Sequence, residues 1–448
     1  MGDLHRVGRT AGIAMKPFWK AARTAAALSA LFLVVYGGCN WVTSRRAQVP
    51  SFYFAWERHI PFVPAMILPY MSIDLFFVAA PFVVRSDRQR RTLAARIAAA
   101  ILIAGACFLL FPLRFAFERP QVNGPLGLIF NNFRSLDLPF NEFPSLHIAL
   151  CAILFDTYDR NLKGQLRRAV AFWFIMIALS PLLTYQHHVI DILGGFALAI
   201  LCFHFFRDEP LLQRFTPNRR VGIYHAAGAV LLTGLAMVFM PWSGVLLWPA
   251  LSTAFIAAGY FVLGPGIYRK ENGRHPWTTR LLLGPVLLGQ RLSLMYYARR
   301  CQAYDRLTDR LLIGRRLSDA EARAAGVTAV VDLTAEFSEA ATFRHLPYLQ
   351  LPILDLTAPT PDQFDEAIAF IEGHAGAGTV YLHCKAGYSR TATVAGAYLL
   401  TSGSAETVEQ ALAELRRARP SVIVRPEALK ALHDFQARRC ADSPVPAH

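Results

Sequence analysis

Two clusters of residues in this chain have types and spacings that could do chemistry. The first is Val380-Tyr-Leu-His-Cys-Lys-Ala-Gly-Tyr-Ser-Arg-Thr391. An apolar run ends at Cys384, five residues separate it from Arg390, and a helix-forming run, 392–400, follows. A strand, a tight loop and a helix in that order present backbone N–H groups and the positive end of a helix to an anion. The same field favours the nucleophilic thiolate of Cys384, and Arg390 can grip two phosphoryl oxygens at once. Gly387 permits the tight loop. Lys385, Ala386, Gly387, Tyr388 and Ser389 form the loop that would hold the phosphate, with Lys385 as a second cation. The second cluster joins Pro144-Ser-Leu-His147 to Thr184-Tyr-Gln-His-His-Val-Ile-Asp191. His187 and Asp191 are four residues apart and share a helical face. A carboxylate on one imidazole nitrogen fixes the tautomer and leaves the other nucleophilic. His147 could then protonate a leaving group.

The first cluster, with Ile313-Gly-Arg-Arg and Val330-Val-Asp-Leu ahead of it, closely resembles the dual-specificity branch of the protein tyrosine phosphatase superfamily over residues 304–436. The resemblance implies that Cys384 forms a phosphocysteine, that Arg390 stabilises the transition state and that Thr391 assists breakdown of the intermediate. It also implies an Asp general acid on a loop about 30 residues ahead of the cysteine, where it would protonate the leaving oxygen. Asp355 lies 29 residues upstream, after an apolar strand. Asp362 and Asp365 are rivals, although Asp362 reads as the start of a helix after Pro361 and Asp365 falls within that helix. The Cys-Lys-Ala-Gly spelling is similar to that of phosphoinositide and phosphatidylglycerophosphate phosphatases, and a membrane tether raises the effective concentration of a lipid headgroup. Tyr388 fits enzymes acting on phosphoproteins as well.

The second cluster resembles the type 2 phosphatidic acid phosphatase superfamily, in the branch containing inositol phosphorylceramide synthase, over residues 74–206. The resemblance implies His187 as a phosphohistidine nucleophile, Asp191 as its partner, His147 as the acid and Arg119 as a phosphate ligand. Two positions depart from it. Pro112 stands seven residues before Arg119 in place of a Lys, and Pro181 stands six before His187 in place of an Arg. Arg114 or Arg134 could substitute. Hydrolysis, phosphodiester transfer and an inactive site all remain open. Neither resemblance implies a metal or cofactor, and no His/Cys set has zinc spacing. His188 reads as an interfacial residue. Asp74, inside an apolar run, is costly in lipid and has no assigned role.

The elements that must position these clusters differ in kind. Of 448 residues, 54% are apolar and 17% charged, against about 25% charged in soluble proteins. Eight apolar segments run 24–42, 60–84, 97–113, 144–157, 170–185, 189–206, 221–242 and 244–263. Lys and Arg concentrate in every second connection, as a membrane protein with both termini in the cytosol requires. Through residue 266 there are 24 Lys/Arg against 12 Asp/Glu, and beyond it 22 against 19. The basicity therefore belongs to the apolar half, which excludes a nucleic-acid partner. The seven cysteines form no CxxC pair and no disulfide framework. The first apolar run reads as a retained span rather than a signal peptide.

The expected architecture is an all-α polytopic membrane bundle of about eight spans, followed by a soluble α/β dual-specificity phosphatase domain. Its parts are a basic cytosolic tail (1–23), a membrane domain (24–266), a juxtamembrane linker or interfacial helix (267–302), the phosphatase domain (303–440) and a tail (441–448). The histidine site would face away from the cytosol and the cysteine site into it, separated by the ~30 Å hydrocarbon core. The partners implied are membrane lipids and a phosphorylated lipid or protein substrate, in a bacterial inner membrane as the fusion of the two resemblances suggests. The alternative is that only the cysteine domain works and the membrane half is an anchor or lipid sensor.

Overall fold

The computed structural model describes residues 4–207, 211–239 and 242–442. Residues 443–448 of the expected C-terminal tail lie outside the described residues. The chain divides into two compact units, Met1–Glu209 and Pro210–His448.

The first unit is helical throughout: α1 (Leu4–Ser44), α2 (Ile67–Val83), α3 (Asp87–Leu110), α4 (Gly124–Leu136), α5 (Leu146–Asn161), α6 (Gly164–Leu183) and α7 (Val189–Phe205). Long apolar runs adopt helices because a helix satisfies its own backbone polar groups where water is absent. Among the described residues, six helical stretches are long and apolar enough to cross a membrane: Phe18–Ser44, Pro64–Val83, Asp87–Leu110, Gly164–Leu183, Arg219–Val238 and Ser243–Tyr268. They match six of the eight expected segments. The other two correspond to α5 and α7, of 16 and 17 residues. Ile148, Ile153 and Leu154 of α5 are fully buried, and the helix packs into a core with Ile97, Ala100 and Phe174. Arg96 of α3 pairs with Asp156 of α5 at 2.9 Å and donates to the Phe206 carbonyl at 2.8 Å, which ties three helix ends together. Helix α4, within a segment expected only as a connection, buries Phe130 against Ile67 and Tyr70.

The second unit opens with a helical hairpin, α8 (Arg219–Val238) and α9 (Leu247–Ala258). The division by compactness groups this hairpin with the α/β domain, whereas the sequence boundary at 266 leaves it with the other helices. A π turn, Gly259–Leu263, and a 3-10 turn, Gly264–Tyr268, lead into α10 (Trp277–Leu282) and α11 (Gly284–Ala298). The α/β domain follows with β1 (Tyr304–Thr308), β2 (Leu311–Arg315), α12 (Asp319–Ala324), β3 (Ala329–Thr334), β4 (Tyr348–Ile353), α13 (Pro361–Ala375), β5 (Val380–Cys384), α14 (Ser389–Thr401), α15 (Val408–Ala418) and α16 (Pro426–Asp442).

The strand order is β1-β2-β5-β3-β4, with β1 antiparallel to β2 and the other pairs parallel. Central β5 is buried along its whole length, as a strand covered on both faces must be, and hence its apolar run. The core joins Ile313, Val331 and Leu382 of the sheet to Phe364, Ile371, Ala395, Leu415 and Leu432 of the helices. Ligands of such sheets bind in the crevice beyond the carboxyl ends of the strands. Cys384 is the last residue of the central strand.

Candidate active site

Strand β5 delivers Cys384, 3% exposed, to that crevice, and α14 begins five residues later. Gly387 has φ +71°, and a Cβ there would come within 2.5 Å of the Gly314 carbonyl carbon. Conformation and close approach both demand glycine. Arg390, in the first turn of α14, is buried, and its guanidinium makes a two-pronged pair with Glu336 at 2.6 and 3.1 Å. It also donates to the Ile353 carbonyl at 2.8 Å and to Asp355 Oδ1 at 3.1 Å. Lys385 Nζ lies 3.5 Å from Asp355 Oδ2. Asp355, on the loop after β4, is therefore held by the two cations that a phosphate would also use. Burial alone would raise its carboxyl, but Arg390 and Lys385 outweigh burial and hold it below the ordinary carboxylate range. Burial likewise works against the Arg390 charge, and Glu336 and Asp355 more than restore it.

Thr391 Oγ1 is buried with no hydrogen-bond partner among the described residues. Ser389 Oγ accepts from the Arg425 N–H at 3.3 Å, and the Tyr388 ring meets Tyr297 edge-on at 5.6 Å. The rival aspartates are surface residues of α13: Asp362 pairs with Arg214 at 3.1 Å and Asp365 with Arg438 at 2.6 Å.

The family model described as "Dual specificity phosphatase, catalytic domain" matches residues 314–438. Over 168 residues the chain is 30% identical to "Phosphatidylglycerophosphate phosphatase PTPMT2" of Arabidopsis thaliana, which covers 35% of this chain and 72% of that protein. Through its C-terminal domain, the chain belongs to the dual-specificity phosphatase family. It is also 35% identical over 89 residues to "Phosphatidylglycerophosphatase and protein-tyrosine phosphatase 1" of Homo sapiens, covering 19% of this chain and 44% of that one. The chain thus spans less than half of the human relative. Similar solved structures include Tk-PTP in the active form, at 28% identity and TM-score 0.29, covering 30% of this chain and 97% of that one. PTPMT1 in complex with PI(5)P is 23% identical with TM-score 0.29, covering 31% and 98%. This dual-specificity phosphatase is a phosphoric monoester hydrolase of the protein tyrosine phosphatase type.

The phosphatase domain braces its loop with residues that sequence reading passed over. Arg419, at the end of α15, is fully buried, donates to the carbonyls of Gly387 at 3.1 Å and Ala386 at 3.3 Å, and pairs with Asp305. The Arg316 N–H donates to the Lys385 carbonyl at 3.2 Å. Behind Cys384, His383 Nε2 lies 2.6 Å from Glu339 Oε2, and Asp332 pairs in register with His383 across β3 and β5. Burial would discharge His383, but Glu339 and Asp332 outweigh it and raise its pKa. The ligand atoms of Asp332, Glu339 and His383 lie within 4.8 Å of one another, a set that could hold a metal ion. Here a cation comes from the chain itself. Lys270 Nζ sits 2.5 Å from Asp332 Oδ2 and donates to the Thr334 carbonyl at 2.7 Å, with both side chains essentially unexposed. The signal available in the sequence was Asp332 itself: a carboxylate inside an apolar strand needs a buried partner.

In the first unit, a cavity of about 560 Å³ is lined by His147, His187, Asp74, Asp137, Tyr36 and Asn40 among apolar side chains. His147 and His187 thus meet on one cavity. Asp191 Oδ2 lies 3.7 Å from His187 Nδ1 and accepts from the His188 N–H at 2.8 Å. Glu142, which sequence reading missed, comes closer, with Oε2 3.1 Å from the same nitrogen. Its signal was a lone acid two residues before Pro144 in an apolar stretch. Glu142, His187 and Asp191 form a second set that could hold a metal ion. His147 stacks on Tyr70 at 4.4 Å, with Nε2 3.3 Å from the Ile177 carbonyl.

The described lining contains no Lys or Arg. Arg119 lies over the Phe115 ring at 5.7 Å, Arg134 donates to the Pro120 carbonyl at 3.1 Å, and Arg114 is exposed. None of the three is among the described lining residues, although the Arg119 charge reaches Tyr70 and Asp137 of that lining. His188 is a buried structural residue: its Nε2 accepts from the Ala116 N–H at 3.1 Å, so Nδ1 carries the proton toward Glu57 at 2.9 Å.

Proposed function

We propose that the C-terminal domain hydrolyses the phosphomonoester of a phospholipid headgroup through a phosphocysteine at Cys384. The observation that carries this reading is the convergence of Arg390, Lys385 and Asp355 at the loop between β5 and α14. The Cys384 thiolate attacks phosphorus, Arg390 holds two equatorial oxygens, and the ester oxygen leaves with the proton of Asp355. Water then attacks the phosphocysteine, Asp355 takes its proton, and the Thr391 hydroxyl supports the departing sulfur. The backbone of residues 385–389 cradles the phosphate. A lipid substrate is supported by the two relatives whose names specify phosphatidylglycerophosphate hydrolysis and by the apolar α8–α9 hairpin in the same compact unit. The Lys and Arg distribution supports a multi-pass membrane protein with both termini in the cytosol.

This reading fixes the sign of a pH effect. The acid must be protonated, and in the free enzyme Arg390 and Lys385 lower the Asp355 pKa. A bound phosphate neutralises both cations and lets that pKa rise. The alkaline limb of kcat/KM, which reports the free enzyme, should therefore begin at lower pH than that of kcat. Coincident limbs in full pH profiles would contradict the arrangement.

The membrane half is read as a second lipid-phosphate site of the type 2 phosphatidic acid phosphatase kind, with His187 as nucleophile, Asp191 and Glu142 orienting it, and His147 as acid. Its support is the shared cavity. The lack of Lys or Arg in that lining favours the second reading, an anchor or lipid sensor. The test uses full-length protein in lipid. Phosphate release from phosphatidylglycerophosphate, a phosphoinositide and a phosphotyrosine peptide is measured for wild type, Cys384→Ser and His187→Ala. We expect Cys384→Ser to abolish release and both lipids to outrank the peptide; a peptide preference would refute the lipid assignment. A change in lipid products with His187→Ala alone would establish two working sites.

A further inference from the structure

Between the α8–α9 hairpin and the sheet, residues 276–300 contain no Asp or Glu and four Arg. Helices α10 and α11 join through a bend at a single residue, Leu283, with φ −99° and ψ 9°. The bend packs on α9: Trp248 Nε1 donates to the Leu281 carbonyl at 2.8 Å, and a Cβ at Gly284 would meet the Trp248 ring at 2.9 Å. At the other end of α9, the Tyr260 hydroxyl donates to the backbone carbonyl of Asp355 at 2.8 Å. From Trp248 to Ala258 is about 15 Å of helix, close to half of the ~30 Å hydrocarbon core. The bend therefore lies alongside a helix apolar enough to cross the membrane, about 9 Å of helix from Gln290, which touches the catalytic loop.

The chemistry of this bent segment suits that position. Leu281, Leu288, Leu292, Met295 and Tyr296 are each about half exposed, an apolar surface that is unfavourable in water. Helical hydrogen bonds run into and out of the bend, as hydrocarbon favours: the Leu283 N–H donates to the Thr279 carbonyl at 2.9 Å and the Leu287 N–H to the Leu283 carbonyl at 2.8 Å. Arg291, Arg299 and Arg300 are exposed where α11 leads into the domain, suited to anionic headgroups. Arg280, one turn before the bend, has the stem length to snorkel back. The same helix touches the catalytic loop. Gln290 Oε1 accepts from Lys385 Nζ at 2.7 Å, and Tyr297 meets Tyr388.

We propose that residues 277–298 form a bent helical segment embedded in the cytosolic leaflet, and that α11 is the wall along which a phosphomonoester lipid passes its headgroup to Cys384 while its chains stay in the bilayer. The proposal rests on Cys384 as nucleophile and on α8 and α9 as membrane spans. Its partner is a lipid surface.

The test uses full-length protein in phosphatidylcholine vesicles containing phosphatidylglycerophosphate, with a soluble aryl phosphate as second substrate. Leu288→Glu and Leu292→Glu should lower lipid turnover about tenfold or more and leave aryl phosphate hydrolysis at the wild-type rate. A photocrosslinking benzoylphenylalanine in place of Leu288 should yield phospholipid adducts, whereas one in place of exposed Glu409 should not. Unchanged lipid turnover in both Glu variants overturns the proposal. So does an adduct yield at 288 no higher than at 409, whatever the variants do to folding. Aryl phosphate hydrolysis that survives Cys384→Ser would instead bring down the catalytic reading beneath it.

Discussion

Replacing Asp355 with Asn is expected to slow hydrolysis of alkyl phosphate monoesters by about 10²–10⁴-fold and of aryl monoesters far less. An alkoxide leaves only with a proton, whereas a phenolate departs largely without one. Asp355 alone among the three candidate aspartates faces the loop, 3.1 Å from Arg390 and 3.5 Å from Lys385. Asp362→Asn and Asp365→Asn, which alter surface pairs with Arg214 and Arg438, should leave both rates unchanged. Steady-state rates on a matched pair of alkyl and aryl esters check this. Equal losses on the two esters would remove Asp355 from the role of proton donor.

Lys270→Met should destabilise the protein by about 3–5 kcal/mol, the usual cost of leaving one charge of a buried pair without its partner. Asp332, fully buried, loses the ammonium that outweighs its burial together with His383 and holds its carboxyl far below the ordinary range. Tyr348 and Thr334 still donate to it without charge, and His383, 3.9 Å away, is engaged with Glu339 at 2.6 Å. Denaturant unfolding of the full-length protein in detergent, followed by loss of phosphatase activity, measures the effect. Adding Asp332→Leu to Lys270→Met should recover much of the loss, because an apolar pair removes the stranded charge. A cost below about 1 kcal/mol, far under that of a broken buried pair, would mean that the pair does not hold the domain together.

The catalytic loop could be read from the sequence because its chemistry is local. Strand, cysteine, arginine and helix fall within 21 residues, and each choice of residue type supports the next. Asp355 needed a spacing borrowed from a resemblance, whereas the helix expected after Pro361 is α13, which carries its two rivals in surface ion pairs. What stayed hidden were long-range pairs. Lys270 lies 62 residues from Asp332, Arg419 lies 32 from Gly387, and Glu336 lies 54 from Arg390. A sequence shows that a buried charge needs a partner but not which distant residue supplies it. The linker illustrates the consequence. Composition marks 267–302 as a connection outside the phosphatase domain, yet Lys270, Gly273 and His275 all hydrogen-bond to it. In the membrane half, His187 lies ahead of α7 rather than on it, so its 3.7 Å approach to Asp191 comes from the turn before that helix and not from a shared helical face, and Glu142 reaches it through the turn before α5.

The central claim is a phosphoryl group carried on Cys384. Full-length protein in lipid would be mixed with phosphatidylglycerophosphate, quenched in alkaline denaturant during turnover, digested and examined by mass spectrometry. We expect the phosphoryl group on the peptide containing Cys384, and its disappearance together with phosphate release in Cys384→Ser. A phosphoryl group found on His187 alone, or turnover that persists without the cysteine, would contradict the account.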